Sequence, residues 1–183
     1  MKKILFAAAF VAATFAAQAQ LDYGFWVKTQ TQDEFGDLTG NYVTSYFSQG
    51  TFSNTATLGS ELTARVVLWP DGDATIDLFE YTSSKAVICS RGCAGSISVK
   101  LPDGAEETYP VWSSSSGTIL INSKKPKAKE LITLLRNSTG EITILIRGVN
   151  FLQSYDRSSY RFKVQGMGGI EPEVTESDTT QSE

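Results

Sequence analysis

A chain of 183 residues with no histidine, 16 Lys plus Arg and 20 Asp plus Glu restricts the possible functions before any motif is read. Without imidazole, Ser-His-Asp triads and His-ligated zinc centres are excluded, and any catalysis would have to use carboxylates, tyrosine, lysine or thiols. The formal net charge of −4 disfavours nucleic acid as a partner.

The chain opens MKKILFAAAFVAATFAAQAQ: a basic start at Lys2 and Lys3, an uncharged run from Ile4 to Ala17, and an Ala17-Gln18-Ala19 cleavage pattern. This predicts a signal peptide over residues 1–19, cut after Ala19. Gln20 stands where a lipid-anchored export product carries cysteine, so release into the periplasm or beyond is expected, without an anchor. No later stretch approaches the length of a membrane-spanning helix. Loss of Lys2 and Lys3 takes the net charge to about −6. Much of that sits in Glu171, Glu173, Glu176, Asp178 and Glu183. Residues 20–168 are read as a single β-rich domain and 169–183 as a disordered acidic tail.

The first predicted strand is Leu21 to Thr29, with Tyr23, Phe25 and Val27 on one face and Trp26 on the other. A polar connection over residues 31–40 follows, then a strand over 41–48 that bends or ends at Gly50. The stretch Leu62 to Tyr81 is the clearest local signal. Trp69-Pro70-Asp71-Gly72-Asp73 suits a three-residue hairpin loop, with Pro70 presetting φ and Gly72 taking the left-handed conformation. Pairing Trp69 with Asp73 then sets Leu68 opposite Ala74, Val66 opposite Ile76 and Ala64 opposite Leu78 on one face. Arg65 opposes Asp77 on the other, beside Val67, Trp69, Phe79 and Tyr81.

Three stretches, Gly24-Phe25-Trp26-Val27-Lys28-Thr29, Asp33-Glu34-Phe35-Gly36-Asp37 and Gly50-Thr51-Phe52-Ser53-Asn54-Thr55-Ala56-Thr57, together resemble a family of uncharacterised exported proteins of gut-type Gram-negative bacteria. The likeness runs more weakly through Leu78 to Tyr81, Leu134-Leu135 and Tyr160 to Phe162. It implies a β-rich exported domain and carries no activity or site residues. The Cys89 to Cys93 segment falls outside the resemblance.

Beyond the hairpin, strands are predicted over Gly95–Leu101, Thr108–Trp112, Gly117–Asn122, Glu141–Arg147 and Ser159–Gln165, with Pro110 marking an edge or bulge. Ala128, Leu131, Ile132 and Leu135 recur at helical spacing after Pro126, so a helix is expected over 126–136. About nine strands and one helix predict an all-β antiparallel sandwich, with a small closed barrel as the alternative.

Cys89 and Cys93 are the only thiols, and in an exported chain they are expected to form a disulfide. A redox role would need a lowered thiolate pKa, typically at Cys-x-x-Cys on a helix start, and here the spacing is wider. The mixed hairpin face, Trp69, Phe79 and Tyr81 beside Arg65 and Asp77, is the candidate ligand-binding surface: planar aromatics cover sugar rings while charged neighbours bond hydroxyls. Its competing reading is packing against another element, and Trp26 and Trp112 carry the same two readings. Asp33, Glu34, Asp37, Asp71, Asp73, Asp77, Asp103, Glu106 and Glu107 sit mostly in turns, with nothing to pair any two as a hydrolase requires. No metal site, cofactor or catalytic residue is assigned. The expectation is an exported non-enzymatic binding or interaction domain, its partner an extracytoplasmic protein or a glycan. A carbohydrate-binding module using the aromatic face is the alternative.

Overall fold

The computed structural model describes residues 23–175 apart from 34, 36, 153 and 155; the expected leader at 1–19 and the tail residues 176–183 lie outside them. In chain order the elements are β1 (Trp26–Gln32), β2 (Leu38–Ser53), β3 (Ser60–Leu68), β4 (Ala74–Glu80), β5 (Ser84–Lys85), β6 (Cys93–Lys100), β7 (Glu106–Ser113), β8 (Ile119–Ile121), α1 (Pro126–Asn137), β9 (Glu141–Phe151), β10 (Ser159–Gln165) and β11 (Glu173–Thr175).

The sandwich expectation is corrected. The strands form one continuous sheet in the order β2-β3-β4-β8-β7-β6-β9-β10, every neighbouring pair antiparallel, and β10 returns to pair with β2. That last pairing closes an eight-stranded barrel. β1 and β11 extend the wall beside β2, paired with each other in parallel through Val27↔Glu173 to Thr29↔Thr175, and the two-residue β5 lies against β4. Closure rests on Ser159↔Ser53 to Phe162↔Gly50, a contact between segments more than a hundred residues apart. No local pattern announces such a contact, so strand spacing alone did not separate barrel from sandwich.

Gly50 is where the seam is made. A Cβ there would stand 2.2 Å from the Arg161 carbonyl oxygen, so only glycine lets the two backbones meet. Below Gly50 the two strands part, because the same edge of β2 passes to β1 through Trp26↔Tyr46 and the pairs beyond it. Side chains then take over from the ladder. Ser48 Oγ donates to the Lys163 carbonyl at 2.6 Å and Trp26 Nε1 to the Gln165 carbonyl at 2.7 Å. Within the stretch 31–40, read from sequence as a polar connection, residues 31–32 belong to β1 and 38–40 to β2, and Asp33 N–H bonds to Asp37 O just beyond the two strand ends.

The hairpin of β3 and β4 has the register its loop dictates: Leu68↔Ala74, Val66↔Ile76, Ala64↔Leu78 and Arg65↔Asp77. Its apolar face points inward. With Ile97, Val99, Ile119, Ile121, Ile142, Ile144, Ile146, Phe162 and Val164 it fills the barrel with branched side chains, all essentially buried. This is the packed interior of a small barrel, so a ligand must be met on the outer wall or at an end. One end is closed by α1, whose Ala128, Leu131, Ile132 and Leu135 are buried at the predicted spacing. Pro126 opens the helix, and Ser138 N–H bonds back to Leu134 O. The outer wall carries Arg65, Lys100, Arg147, Arg161 and Lys163 at alternate positions. No helix among the described residues is long and apolar enough to cross a membrane.

Candidate functional site

The five residues of the predicted ligand face do not form one platform. Trp69 sits at the hairpin turn and Tyr81 just past the far end of β4, where its N–H bonds to Glu61 O. That puts them roughly 25 Å apart at the rise of a strand. Tyr81 and Thr82 both have left-handed backbones (φ 51° and 69°), and the Tyr81 ring stands edge-on to Phe52 at 5.0 Å. Phe79 is half-buried, opposite Thr63 and Lys85.

Between these ends, Arg65 and Asp77 form a self-contained network. Asp77 is 3% exposed and takes Arg65 Nη2 at 2.7 Å, Lys85 Nζ at 2.8 Å and Thr118 Oγ1 at 2.8 Å. Burial alone would push its carboxyl up. The hydrogen bonds from Lys85, Arg65 and Thr118 outweigh that and hold it below its ordinary value. Three donors leave Asp77 little capacity for a sugar hydroxyl. The pair pins β4 to β3, β5 and the loop before β8, which is a structural role.

A different aromatic surface lies on the same wall. The outward row across four strands reads Val67, Thr75, Leu120, Trp112. Trp69 Nε1 donates to Thr75 Oγ1 at 3.1 Å, which lays the indole along this row, while Arg136 Nη2 donates to the Trp69 carbonyl at 3.3 Å. Trp69, Leu120 and Trp112 remain 39%, 39% and 45% exposed. Thr75 and Trp112 are two strand spacings apart, about 10 Å. The shelf they bound is apolar in the middle and aromatic at both sides.

Beside Trp112 lies a recess of about 270 Å³ lined by Pro110, Val111, Trp112, Leu120, Asn122 and Lys125. Its origin is legible in the chain. β8 pairs with β7 only at Trp112↔Leu120 and Ser113↔Ile119, and Pro110, which has no N–H to offer, falls where that ladder has ended. Asn122 and Lys125 therefore flank an open strand edge beside Pro110 and Leu120.

The cysteines belong to this site. Cys89 and Cys93 face each other with Cα atoms 5.9 Å apart, as in a disulfide. The short loop they close holds Gly92, at φ 74°, under the Trp112 indole: a Cβ on Gly92 would meet Trp112 Cζ2 at 3.4 Å. Replacing both cysteines by serine is expected to lower stability by about 2 kcal/mol. It should also loosen the Trp112 seat, read as a midpoint shift in urea together with greater quenching of Trp112 by iodide. Unchanged quenching would detach the loop from the shelf.

Trp26, the third tryptophan, is core, 1% exposed and tilted against Tyr46 with ring centroids 5.1 Å apart. The turn carboxylates serve the backbone. Asp73 Oδ1 accepts from Ser123 N–H at 2.7 Å and Ser123 Oγ at 2.6 Å, which hold its carboxyl below the ordinary value, and Asp71 Oδ1 accepts from Asp73 N–H. Among the described residues no group of three or more acidic or thiol side chains is placed to hold a metal.

A second groove, about 800 Å³, runs beside α1 over Leu101, Tyr109 and Leu134. Glu107 and Glu130 approach each other there, each bonded to Lys127, at 2.6 and 2.7 Å. The Lys127 hydrogen bond, with one from Tyr109, pushes Glu107 down. A general acid needs the opposite shift. Sequence reasoning weighed Trp69 and Trp112 but missed Leu120, Asn122, Lys125 and Gly92. The available signal was Leu120 itself, a large apolar residue at the outward position between Ile119 and Ile121.

Searches of protein-family models, curated proteins and solved structures found no match to this chain.

Proposed function

We propose that this chain is an exported, non-enzymatic binding domain that takes carbohydrate on the outer wall of its barrel, at the shelf of Trp69, Leu120 and Trp112. The observation that carries the reading is the Trp112 indole, exposed and seated on Gly92 beside a recess with Asn122 and Lys125 at its rim. A sugar ring has an apolar face and an equatorial belt of hydroxyls. An indole with amide and ammonium donors at its margin matches both. The filled interior directs binding to the surface of the barrel, where the shelf lies, and the paired cysteines favour an oxidising compartment, in keeping with the leader expected at residues 1–19.

The test is a tryptophan-fluorescence titration of the purified protein with soluble polysaccharides and peptidoglycan fragments. A saturable change is expected. Trp112→Ala should weaken binding about fivefold, matching an aromatic contact worth about 1 kcal/mol. Trp69→Ala should weaken it less, since that indole is partly committed to Thr75. Wild-type protein blind to every glycan, or a Trp112→Ala variant that binds as tightly, would sink the reading.

A further inference from the structure

On the wall beyond β7 the outward side chains change character from aromatic to cationic. β6, β9 and β10 lie in register there, so their outward residues form a grid. One row runs Thr51, Arg161, Leu145, Ser98, Thr108, and the next runs Lys163, Thr143, Lys100, Glu106. Arg147, opposite Ser159, adds a fourth cation above them. A groove of about 330 Å³ follows the grid, with Ser98, Lys100, Thr143, Arg161 and Lys163 along it and one carboxylate, Glu106.

The charge here runs against the rest of the molecule. In a chain of net charge −4, this wall carries Lys100, Arg147, Arg161 and Lys163 against Glu106 and Glu141. Glu141 is bonded to Lys163 at 2.8 Å. Among the described residues Lys100, Arg147 and Arg161 make no ion pair, and Lys100 faces Glu106 across the ladder without bonding to it. Like charges on neighbouring strand positions repel. A bound anion relieves that repulsion.

We infer that the outer wall of β6, β9 and β10 is an anion-reading subsite, which makes the ligand of this domain a uronate-bearing glycan. The inference rests on the carbohydrate reading above and narrows it to acidic sugars. Guanidinium matches carboxylate in a bidentate fork, and the interleaved hydroxyls of Ser98, Thr108 and Thr143 match the ring hydroxyls. The grid has no aromatic ring on which a base could stack, and its one large apolar residue, Leu145, is half-buried. Both facts favour a glycan over single-stranded nucleic acid or a lipid surface.

The experiment compares polygalacturonate with its fully methyl-esterified form by isothermal titration calorimetry. The two differ in charge and share a backbone. The acid form is expected to bind at least tenfold tighter than the ester and to weaken in 0.5 M NaCl. Arg161→Gln with Lys100→Gln should remove most of that difference while leaving the thermal midpoint unchanged or raised, since both side chains face outward. Equal binding of acid and ester, no binding of the acid form, or an unaffected double variant would each overturn the inference. So would equally tight retention of an oligothymidylate or of phosphatidylglycerol vesicles, which would make the wall a general polyanion surface. If a neutral polysaccharide binds and is lost in Trp112→Ala but not in the charge variant, the inference fails while the carbohydrate reading stands. If polygalacturonate depends on Arg161 but not on Trp112, the shelf fails and the cationic wall remains.

Discussion

Trp26→Ala is expected to lower the free energy of unfolding by about 3–5 kcal/mol, the range for deleting a buried large aromatic. Two losses combine. The indole is 1% exposed and fills the fork where β1 and β10 part along the edge of β2, so its removal leaves a cavity at the barrel seam. Its Nε1 also donates to the Gln165 carbonyl, which lies beyond the last β10–β2 rung at Phe162↔Gly50. Trp26→Phe separates the terms, since it keeps most of the apolar volume and drops only the hydrogen bond. A loss of about 1–2 kcal/mol is expected for that variant. Urea unfolding of both variants supplies the comparison. In hydrogen exchange, the amides of Ser48 to Ser53 and Ser159 to Gln165 should lose protection first in Trp26→Ala. If instead the loss is spread evenly over the barrel, the indole is ordinary core and the seam has no special dependence on it.

What the sequence made legible was local. The hairpin register followed from Pro70 and Gly72, the buried helix face from the spacing of Ala128 to Leu135, and the early end of the β7–β8 ladder from Pro110, which the sequence marked as an edge or bulge. What it hid was non-local. Gly50 reads equally well as a strand end or as a bend, and only the approach of Arg161 across the seam shows that β2 runs through it for sixteen residues. The same limit applied to the site. Arg65, Asp77, Phe79 and the two tryptophans were visible as residues of the right kind, but alternation cannot say which of two outward positions will be covered. Asp77 was sealed by Lys85 and Thr118, one from β5 and one from just before β8, neither in the hairpin that drew attention to it. Trp112 became the better candidate through Leu120 and Gly92, both distant in sequence and adjacent on the wall.

Asp77→Asn should be the second most damaging change, at about 2–3 kcal/mol near neutral pH. Breaking a fully buried ion pair costs about 3–5 kcal/mol. Here the Arg65 and Lys85 side chains keep 42% and 34% exposure, so both stranded cations can turn toward water and the cost is smaller. The asparagine keeps one acceptor for Thr118 but has no charge to hold two cations side by side. The pH dependence identifies the cause. Asp77 is held below its ordinary value in the folded state. Its stabilising contribution is therefore present above the unfolded carboxylate pKa and is lost as pH falls from there through the folded value. A protonated Asp77 carries no charge and is electrostatically close to asparagine. The urea midpoints of wild type and Asp77→Asn should therefore differ most near neutral pH and converge as acid protonates Asp77 in the folded state. A gap that stays constant with pH would mean that the substitution acts through packing. A gap that widens in acid would mean the carboxylate is not the charged partner of Arg65 and Lys85, and the network would lose its role in pinning β4 to its neighbours.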